Sequence, residues 1–273
     1  MAYPEISDGF WQQVEPLLER FKRKKSGGCP PLDFRVILNG ILYLLKTGCQ
    51  WDCLPPCYGS KSAVHEHFQT WVAAGVFAEI FRLNAVDYDE LQGIHWEWQA
   101  MDGALVQAPV RGQPRCLAEE GLGRNPTDRG RSGSKTPLHV DEPGMPLGVV
   151  LVGAHVHDSR LISPTLEVDV LPRPTPTVEQ PQRRCLDKGY DYRRVETERE
   201  VHEYIPHLRR IGEEKVPDGE KTYPARRWVV ERTLAWMKGF RAIRTRYFCK
   251  AQNDLAMIHL ACALILSRRL EAD

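Results

Sequence analysis

The chain of 273 residues is 42 % hydrophobic and 27 % charged, with 37 basic against 36 acidic side chains. This composition excludes disordered, collagen-like and fibrous classes, and the length suggests two domains of about 100 to 200 residues each. A net charge of +1 excludes a uniformly basic nucleic-acid binder but leaves room for a local basic groove.

No apolar run reaches the roughly 18 to 20 residues that a membrane helix needs, and Met1-Ala-Tyr-Pro-Glu5 does not open a signal peptide. The expectation is a cytoplasmic protein whose eight cysteines are reduced thiols. Residues 1–90 read as helices. Phe10, Trp11, Val14, Leu17, Leu18 and Phe21 recur at helical spacing behind Ser7 and Asp8, either of which can cap, and Pro16 is expected to kink or split this helix. Arg20 to Gly28 is a basic, Gly/Ser-rich loop or arm. Asp33 then caps a very apolar helix through Phe34, Ile37, Leu38, Ile41, Leu44 and Leu45, closed by Gly48.

After the turn at Leu54-Pro-Pro56, a third helix gathers Val64, Phe68, Trp71 and Val72 on one face and ends at Gly75. Lys61, Glu66, Gln69 and Thr70 lie opposite. A buried helix, a turn and an amphipathic helix suit a helix-turn-helix DNA reader, and equally a plain helical bundle.

From Trp96 the period changes to two. Trp96, Trp98, Ala100 and Asp102 alternate with Glu97, Gln99 and Met101, and the strand continues through Ala104-Leu-Val106. Leu138–Val140 and Leu147–Val152 form a hairpin about Asp141-Glu-Pro-Gly144, and the Gly/Arg-rich stretch 121–135 is too polar for a core element. A short helix is expected at 160–167 and a Pro-rich linker at 172–181. Arg184-Cys-Leu-Asp187 follows as a brief buried strand, and two long helices, 224–247 and 252–269, close the chain.

Three acids stand out by position: Asp102 at the end of the first strand, Asp187 at the end of the later short strand, and Glu231 inside a basic helix. If the two strands pair in parallel, the aspartates meet at one crevice and repel unless a cation lies between them. Hard oxygen ligands with open positions suit Mg²⁺ or Mn²⁺. Residues 223–273 carry 10 basic and 4 acidic side chains, with Arg226, Arg227, Arg232, Lys238, Arg241, Arg244, Arg246 and Lys250 surrounding Glu231. Arg227, Glu231, Leu234 and Lys238 share one helical stripe. Ion pairs at that spacing contribute only about 0.2 to 0.5 kcal/mol, so a metal-binding carboxylate flanked by phosphate-binding cations explains the stripe better than stability does.

Other groups are read as structural. Cys49, Cys53 and Cys57 lack the usual zinc spacing, and Pro55 and Pro56 keep them off one helix, so they are expected to be buried thiols. His155, His157 and Asp158 fit a strand-end turn. No Gly-x-Ser-x-Gly elbow, Walker loop or dinucleotide fingerprint occurs.

In order along the chain, Met101-Asp-Gly103, Gly123-Arg-Asn-Pro-Thr-Asp-Arg129, Lys135, Gly153-Ala-His-Val-His-Asp158, Leu186-Asp-Lys-Gly-Tyr-Asp191 and Arg226-Arg-Trp-Val-Val-Glu-Arg-Thr233 resemble the motifs of bacterial insertion-sequence transposases of the DDE class, the IS-five family. The run Leu38 to Trp51, followed by Leu54-Pro-Pro56 and Tyr58-Gly59, resembles the domain that precedes the catalytic core in that family. Arg227, Glu231 and Lys238 fit the family's Tyr-x2-Arg-x3-Glu-x6-Lys signature. Pro224 stands at the tyrosine position, with Tyr223 one residue earlier.

The resemblance implies an α/β fold in which an RNase H-like mixed sheet flanked by helices occupies residues 91–273, behind a helical, helix-turn-helix-like, DNA-binding-type domain at 1–90. It implies Asp102, Asp187 and Glu231 as catalytic triad and as ligands of two Mg²⁺ (or Mn²⁺) ions. Arg227, Lys238, Lys135, Arg129, Arg131, Arg241 and Arg244 are the implied DNA contacts. The expected partners are the element's terminal inverted repeats and target DNA, met by a homodimer or higher oligomer in the bacterial nucleoid. The implied reaction is cleavage at the element's end, followed by attack of the freed 3′-OH on target DNA. A helix-turn-helix regulator without catalysis, or an RNase H-like nuclease without strand transfer, would share many of these features.

Overall fold

The computed structural model describes residues 5–22, 31–109, 120–186, 203–207 and 228–272. Helix α1 (Asp8–Leu18) starts where the Ser7 hydroxyl accepts the N–H of Phe10 at 3.2 Å, and it buries Phe10, Val14 and Leu18. Pro16 does not split it. The proline sits in the last turn, where few helical bonds remain to be lost, and the chain tightens into a 3-10 turn at Glu19–Phe21. In α2 (Phe34–Thr47) the Asp33 carboxylate accepts the N–H of Arg35 at 2.8 Å. Gly48, at φ +66°, ends the helix by donating its N–H to the Leu44 carbonyl.

The connection from α2 to α3 (Lys61–Ala73) holds two 3-10 turns, Trp51–Cys53 and Pro56–Tyr58, and because these turns run over the surface Cys53 and Cys57 are exposed and Cys49 half-buried, not buried as expected. The connection is much longer than the roughly 3–4-residue turn of a helix-turn-helix. Gly75, expected only to end α3, also opens α4 (Val76–Leu91).

The sheet contains β1 (Trp98–Gln107), β2 (Gly123–Arg124), β3 (Ser132–Asp141), β4 (Pro146–Val149), β5 (Val152–Gly153), β6 (Arg183–Cys185) and β7 (Ile205–His207). Its order is β2-β3-β1-β6-β7, with β4 and β5 also paired to β3. β1 and β3 run antiparallel from Gln99↔Asp141 to Gln107↔Gly133, whereas β6 is parallel to β1 and β7 parallel to β6. The stretch 121–135 is therefore not all loop. Gly133, Ser134 and Lys135 are buried because β3 is paired on both edges there, with β1 on one side and β2 and β5 on the other.

Helix α5 (Ile162–Leu166) covers one sheet face, where Met101, Ile162, Leu186 and Tyr204 form a small cluster. The other face carries the main core. Here α6 (Trp228–Gly239), α7 (Arg241–Arg244) and α8 (Ala251–Ala272) replace the two long helices expected. Phe240, at ψ +110°, interrupts the first of these, and its expected beginning at 224–227 lies outside the described residues. Phe10, Ile41, Phe68 and Phe81 of the N-terminal helices share a single hydrophobic cluster with Ala100, Leu138, Val230 and Leu260. Among the described residues, no helix is long and apolar enough to cross a membrane.

Candidate active site

Asp102 lies in the middle of β1 and not at its end, because β3 keeps pairing with β1 as far as Gln107. Alternation along the strand places Asp102 on the same face as Trp98, Ala100 and Ala104. Its cross-strand partner Leu138 belongs to the main core together with Val230 and Leu234 of α6, so the carboxylate is on the face that α6 covers. Asp102 is half-buried, and its Oδ1 accepts the N–H of Gly103 at 2.7 Å. The last described pair of the parallel ladder is Ala100↔Cys185. Asp102 and Asp187 each follow that pair by two residues, and Asp187 itself lies outside the described residues.

Helix α6 buries Val229, Val230, Thr233, Leu234 and Met237 against the sheet. Glu231 and Lys238 are exposed, and a separation of seven residues, about two turns, puts them on the same flank. Of the other two members of the expected stripe, Leu234 is buried and Arg227 lies outside the described residues. The β3–β4 turn clamps the helix. Thr233 Oγ1 donates to the Gly144 carbonyl at 2.6 Å, and the Arg232 guanidinium donates to the Pro143 carbonyl. Gly144 has φ +89°, and a Cβ there would lie 2.9 Å from side-chain atoms of Val229, Arg232 and Thr233, so the close approach depends on glycine.

On the other flank, Arg232 stacks between Trp228 and Trp236, 4.8 and 4.6 Å from the two ring centroids. The sequence reading missed both the clamp and this stack. The regular four-residue spacing of Trp228, Arg232 and Trp236 was a legible signal for the stack, whereas nothing in the sequence pointed from Gly144 to Thr233.

Exposed cations collect at the far end of β1. Arg129 and Arg131 lie on the turn between β2 and β3, and Arg241 and Arg244 on α7. Both elements reach Gln107: its amide donates to Asp128 at 2.7 Å, its carbonyl accepts the N–H of Arg246 at 2.9 Å, and its backbone bridges to Thr245. Arg244 Nε donates to the Lys238 carbonyl at 2.6 Å, which ties the end of α6 to the same place.

Lys135 does not join this group. It lies on the opposite sheet face from Asp102 and is 7 % exposed, with Nζ donating to Asp158 Oδ1 at 2.8 Å and to the Val156 carbonyl at 2.9 Å. Arg246, counted in the sequence among the cations around Glu231, is likewise buried, and its guanidinium lies 3.7 Å from Asp254. His157 caps the turn at Asp158–Arg160 by accepting the N–H of Ser159. Behind the sheet, His139 connects Asp169 at 2.9 Å with Gln99 at 2.9 Å, and Arg184 donates to the same Gln99 oxygen at 2.7 Å. Burial pushes His139 down and brings Arg184 to about 10, so this network belongs to the core.

Residues 6–81 match the family model described as "Putative transposase of IS4/5 family", and residues 99–266 match the one described as "Transposase DDE domain". The chain belongs to the DDE transposase family. It is 36 % identical over 151 residues to the "Putative transposase for insertion sequence element IS402" of Burkholderia cepacia, covering 52 % of this chain and 67 % of that one. A second B. cepacia protein, "Insertion element IS402 uncharacterized 16.2 kDa protein", is 35 % identical over 117 residues, 41 % of this chain and 80 % of its own length. Among solved structures, the Mos1 mariner paired end complex with Mn aligns over 97 % of this chain and 84 % of that one, at 11 % identity and a TM-score of 0.26.

Asp102, Lys135 and Glu231 of this transposase all fall within the matched DDE span. Among the described residues no group of three His, Cys, Asp or Glu side chains is gathered that could hold a metal ion; Asp187 is not one of those residues.

Proposed function

We propose that the chain cuts the ends of its own insertion sequence and joins the freed 3′-OH to target DNA, with Asp102, Asp187 and Glu231 as the catalytic carboxylates. The observation that carries this reading is the placement of Asp102 on the sheet face covered by α6, the helix that bears Glu231. The strand order supports an RNase H-like assignment: an antiparallel pair, β1 and β3, is extended on the β1 side by two strands parallel to β1. The same proposal treats residues 1–90 as the DNA-engaging region, 91–273 as the catalytic region, and a dimer or higher oligomer on DNA as the working form.

The donor set fits a divalent metal. Asp102 and Glu231 offer carboxylate oxygens only, one half-buried and the other exposed, and hard oxygen ligands that remain open to solvent suit Mg²⁺ or Mn²⁺. Two such ions, when bound, supply an activated water and stabilise the leaving 3′ oxygen. The chain's own part is to hold the DNA in place. Lys238, on the flank of Glu231, binds a phosphate beside the scissile bond, with Arg227, four residues before Glu231 in the signature, in the same role. Arg241, Arg244, Arg129 and Arg131 carry the backbone onward past Gln107. Lys135, committed to Asp158, contributes to the fold and not to that groove.

The test incubates the full chain with DNA spanning the element's ends and Mg²⁺, beside Asp102→Asn and Glu231→Gln. Both variants are expected to lose cleavage and strand joining while keeping wild-type DNA affinity. Undiminished cleavage by either variant refutes the assignment.

A further inference from the structure

Helix α6 is held in two different ways. Val229, Val230, Leu234 and Met237 bury apolar surface against the sheet, and attraction of that kind is non-directional: it keeps the helix on the sheet without fixing its rotation. The β3–β4 turn adds directional contacts, and it takes hold of Arg232 and Thr233, the two residues that follow Glu231. We propose that Arg232 and Thr233 are positioning residues, through which the turn sets the rotation of α6 and so directs Glu231 toward Asp102. The inference rests on the reading of Asp102 and Glu231 as catalytic carboxylates.

The grip has three parts. Thr233 is 0 % exposed and donates from Oγ1 to the Gly144 carbonyl at 2.6 Å. Arg232, about 100° away around the helix, donates from its guanidinium to the adjacent Pro143 carbonyl. Bonds from two such points to neighbouring carbonyls oppose rotation in either sense. The third part is steric, because Val229, Arg232 and Thr233 crowd the space that a side chain on Gly144 would need.

This grip accounts for two side chains that burial does not. Trp228 and Trp236 are 55 % and 40 % exposed, so burial is a poor reason for either. Four residues before and four after Arg232, they cover both faces of its guanidinium and hold the planar group at the Pro143 carbonyl. The cation is thus engaged by the turn and the two indoles, whereas Lys238 stays exposed on the flank of Glu231.

The turn is itself rigid and is tied to Asp102. Met145 donates its N–H to the Asp141 carboxylate at 2.7 Å, Gly144 donates to the Asp141 carbonyl at 3.0 Å, and Asp141 donates to the Met145 carbonyl at 3.2 Å. Asp141 ends β3, the strand whose Leu138 pairs with Asp102. A short path therefore runs from Asp102 through Leu138 and the turn to Thr233 and Glu231. Rotating α6 by about 10° moves a group about 5–6 Å from its axis through about 1 Å. A misplacement of that size costs about 100-fold in rate.

The test separates aim from stability. Full-length wild type, Thr233→Val, Thr233→Ser, Arg232→Lys, Val14→Ala and Glu231→Gln are compared on DNA spanning the element's ends, at a temperature where urea unfolding shows each to be folded. Thr233→Val removes one hydrogen bond at nearly constant shape, and Arg232→Lys keeps the charge without the planar fork. Val14→Ala is the destabilised control, since Val14 is buried in α1, which packs on α2 and α4. Thr233→Val and Arg232→Lys are each expected to lower kcat for cleavage about 10- to 100-fold and to raise the Mg²⁺ concentration for half-maximal rate, with KM for DNA changed less than about twofold. Mn²⁺ binding by the free protein, followed by EPR, is expected to weaken in parallel. Thr233→Ser is expected to restore all of these, and Val14→Ala to match wild type. Wild-type kcat and Mg²⁺ dependence in either Thr233→Val or Arg232→Lys overturns the proposal, as does an equal loss in Val14→Ala. Undiminished cleavage by Glu231→Gln overturns the catalytic reading and this inference with it. Loss of cleavage in Glu231→Gln beside wild-type behaviour of Thr233→Val overturns this inference alone.

Discussion

Replacing Asp141 by asparagine changes the pH dependence of stability in a way that the hairpin geometry sets in advance. Asp141 closes β3 and is 0 % exposed. Its Oδ1 accepts the N–H of Met145 at 2.7 Å, while Oδ2 makes no hydrogen bond among the described residues. Burial pushes this carboxyl from the usual 3.8 up to about 7, and the neighbouring N–H groups of Met145, His95 and Gly144 offset only part of that push. The folded chain therefore holds the Asp141 proton up to about pH 7, whereas the unfolded chain releases it near pH 3.8.

Between those values the folded state binds more protons, so stability falls as pH rises. At about 1.4 kcal/mol per pH unit, the whole window amounts to about 4 kcal/mol at most. Asp141→Asn keeps the acceptor for Met145 and cannot ionise. Its new amide N–H₂ takes the place of an oxygen that lacked a partner, which costs about 1 kcal/mol at any pH. Urea unfolding followed by tryptophan fluorescence should place the variant about 1 kcal/mol below wild type at pH 4 and about 3 kcal/mol above it at pH 8. A difference between the two proteins that stays constant from pH 4 to pH 8 refutes the reasoning. The same hairpin clamps α6 through Gly144, so this carboxyl also bears on how firmly the Glu231 helix is held.

Three further outcomes follow from buried polar groups. Arg246→Ala removes a guanidinium that bonds Ser134, the carbonyls of Glu120, Gly121, Phe248 and Cys249, and the buried Asp254; breaking one side of such a pair costs about 3–5 kcal/mol, read as a drop in the urea midpoint. Thr233→Val deletes the bond to the Gly144 carbonyl at nearly constant volume and should cost about 1–3 kcal/mol, with Thr233→Ser recovering most of it in thermal unfolding. Lys135→Ala should lower stability by about 1–3 kcal/mol and leave DNA affinity, measured by gel shift on folded protein, within about twofold of wild type; a selective loss of affinity would return Lys135 to the DNA groove.

The helices of the N-terminal region were legible because local chemistry writes their ends: Ser7, Asp33 and Gly48 cap where the spacing predicts, and Phe10, Val14 and Leu18 mark a buried stripe. The alternation through Trp98, Ala100 and Asp102 marked β1 for the same reason. Pro16 was misread because a proline's effect depends on how close the helix end already lies. The extent of β3 was misread because Gly133, Ser134 and Lys135 are polar or small, and only pairing on both edges makes such residues strand.

Sequence by itself determined the membership in the DDE transposases, the mixed helical and sheet composition, and the identity of the carboxylates worth testing, since ordered motifs and local periodicity are properties of the chain. Tertiary structure alone decided which charges remain available. Lys135 and Arg246 look like members of a basic groove in one dimension, yet one is paired with Asp158 behind the sheet and the other is enclosed beside Asp254, while Lys238, Arg241 and Arg244 stay exposed. Charge is written residue by residue. Whether water, a carboxylate or a phosphate meets that charge depends on which sheet face and which helix flank the packing leaves open.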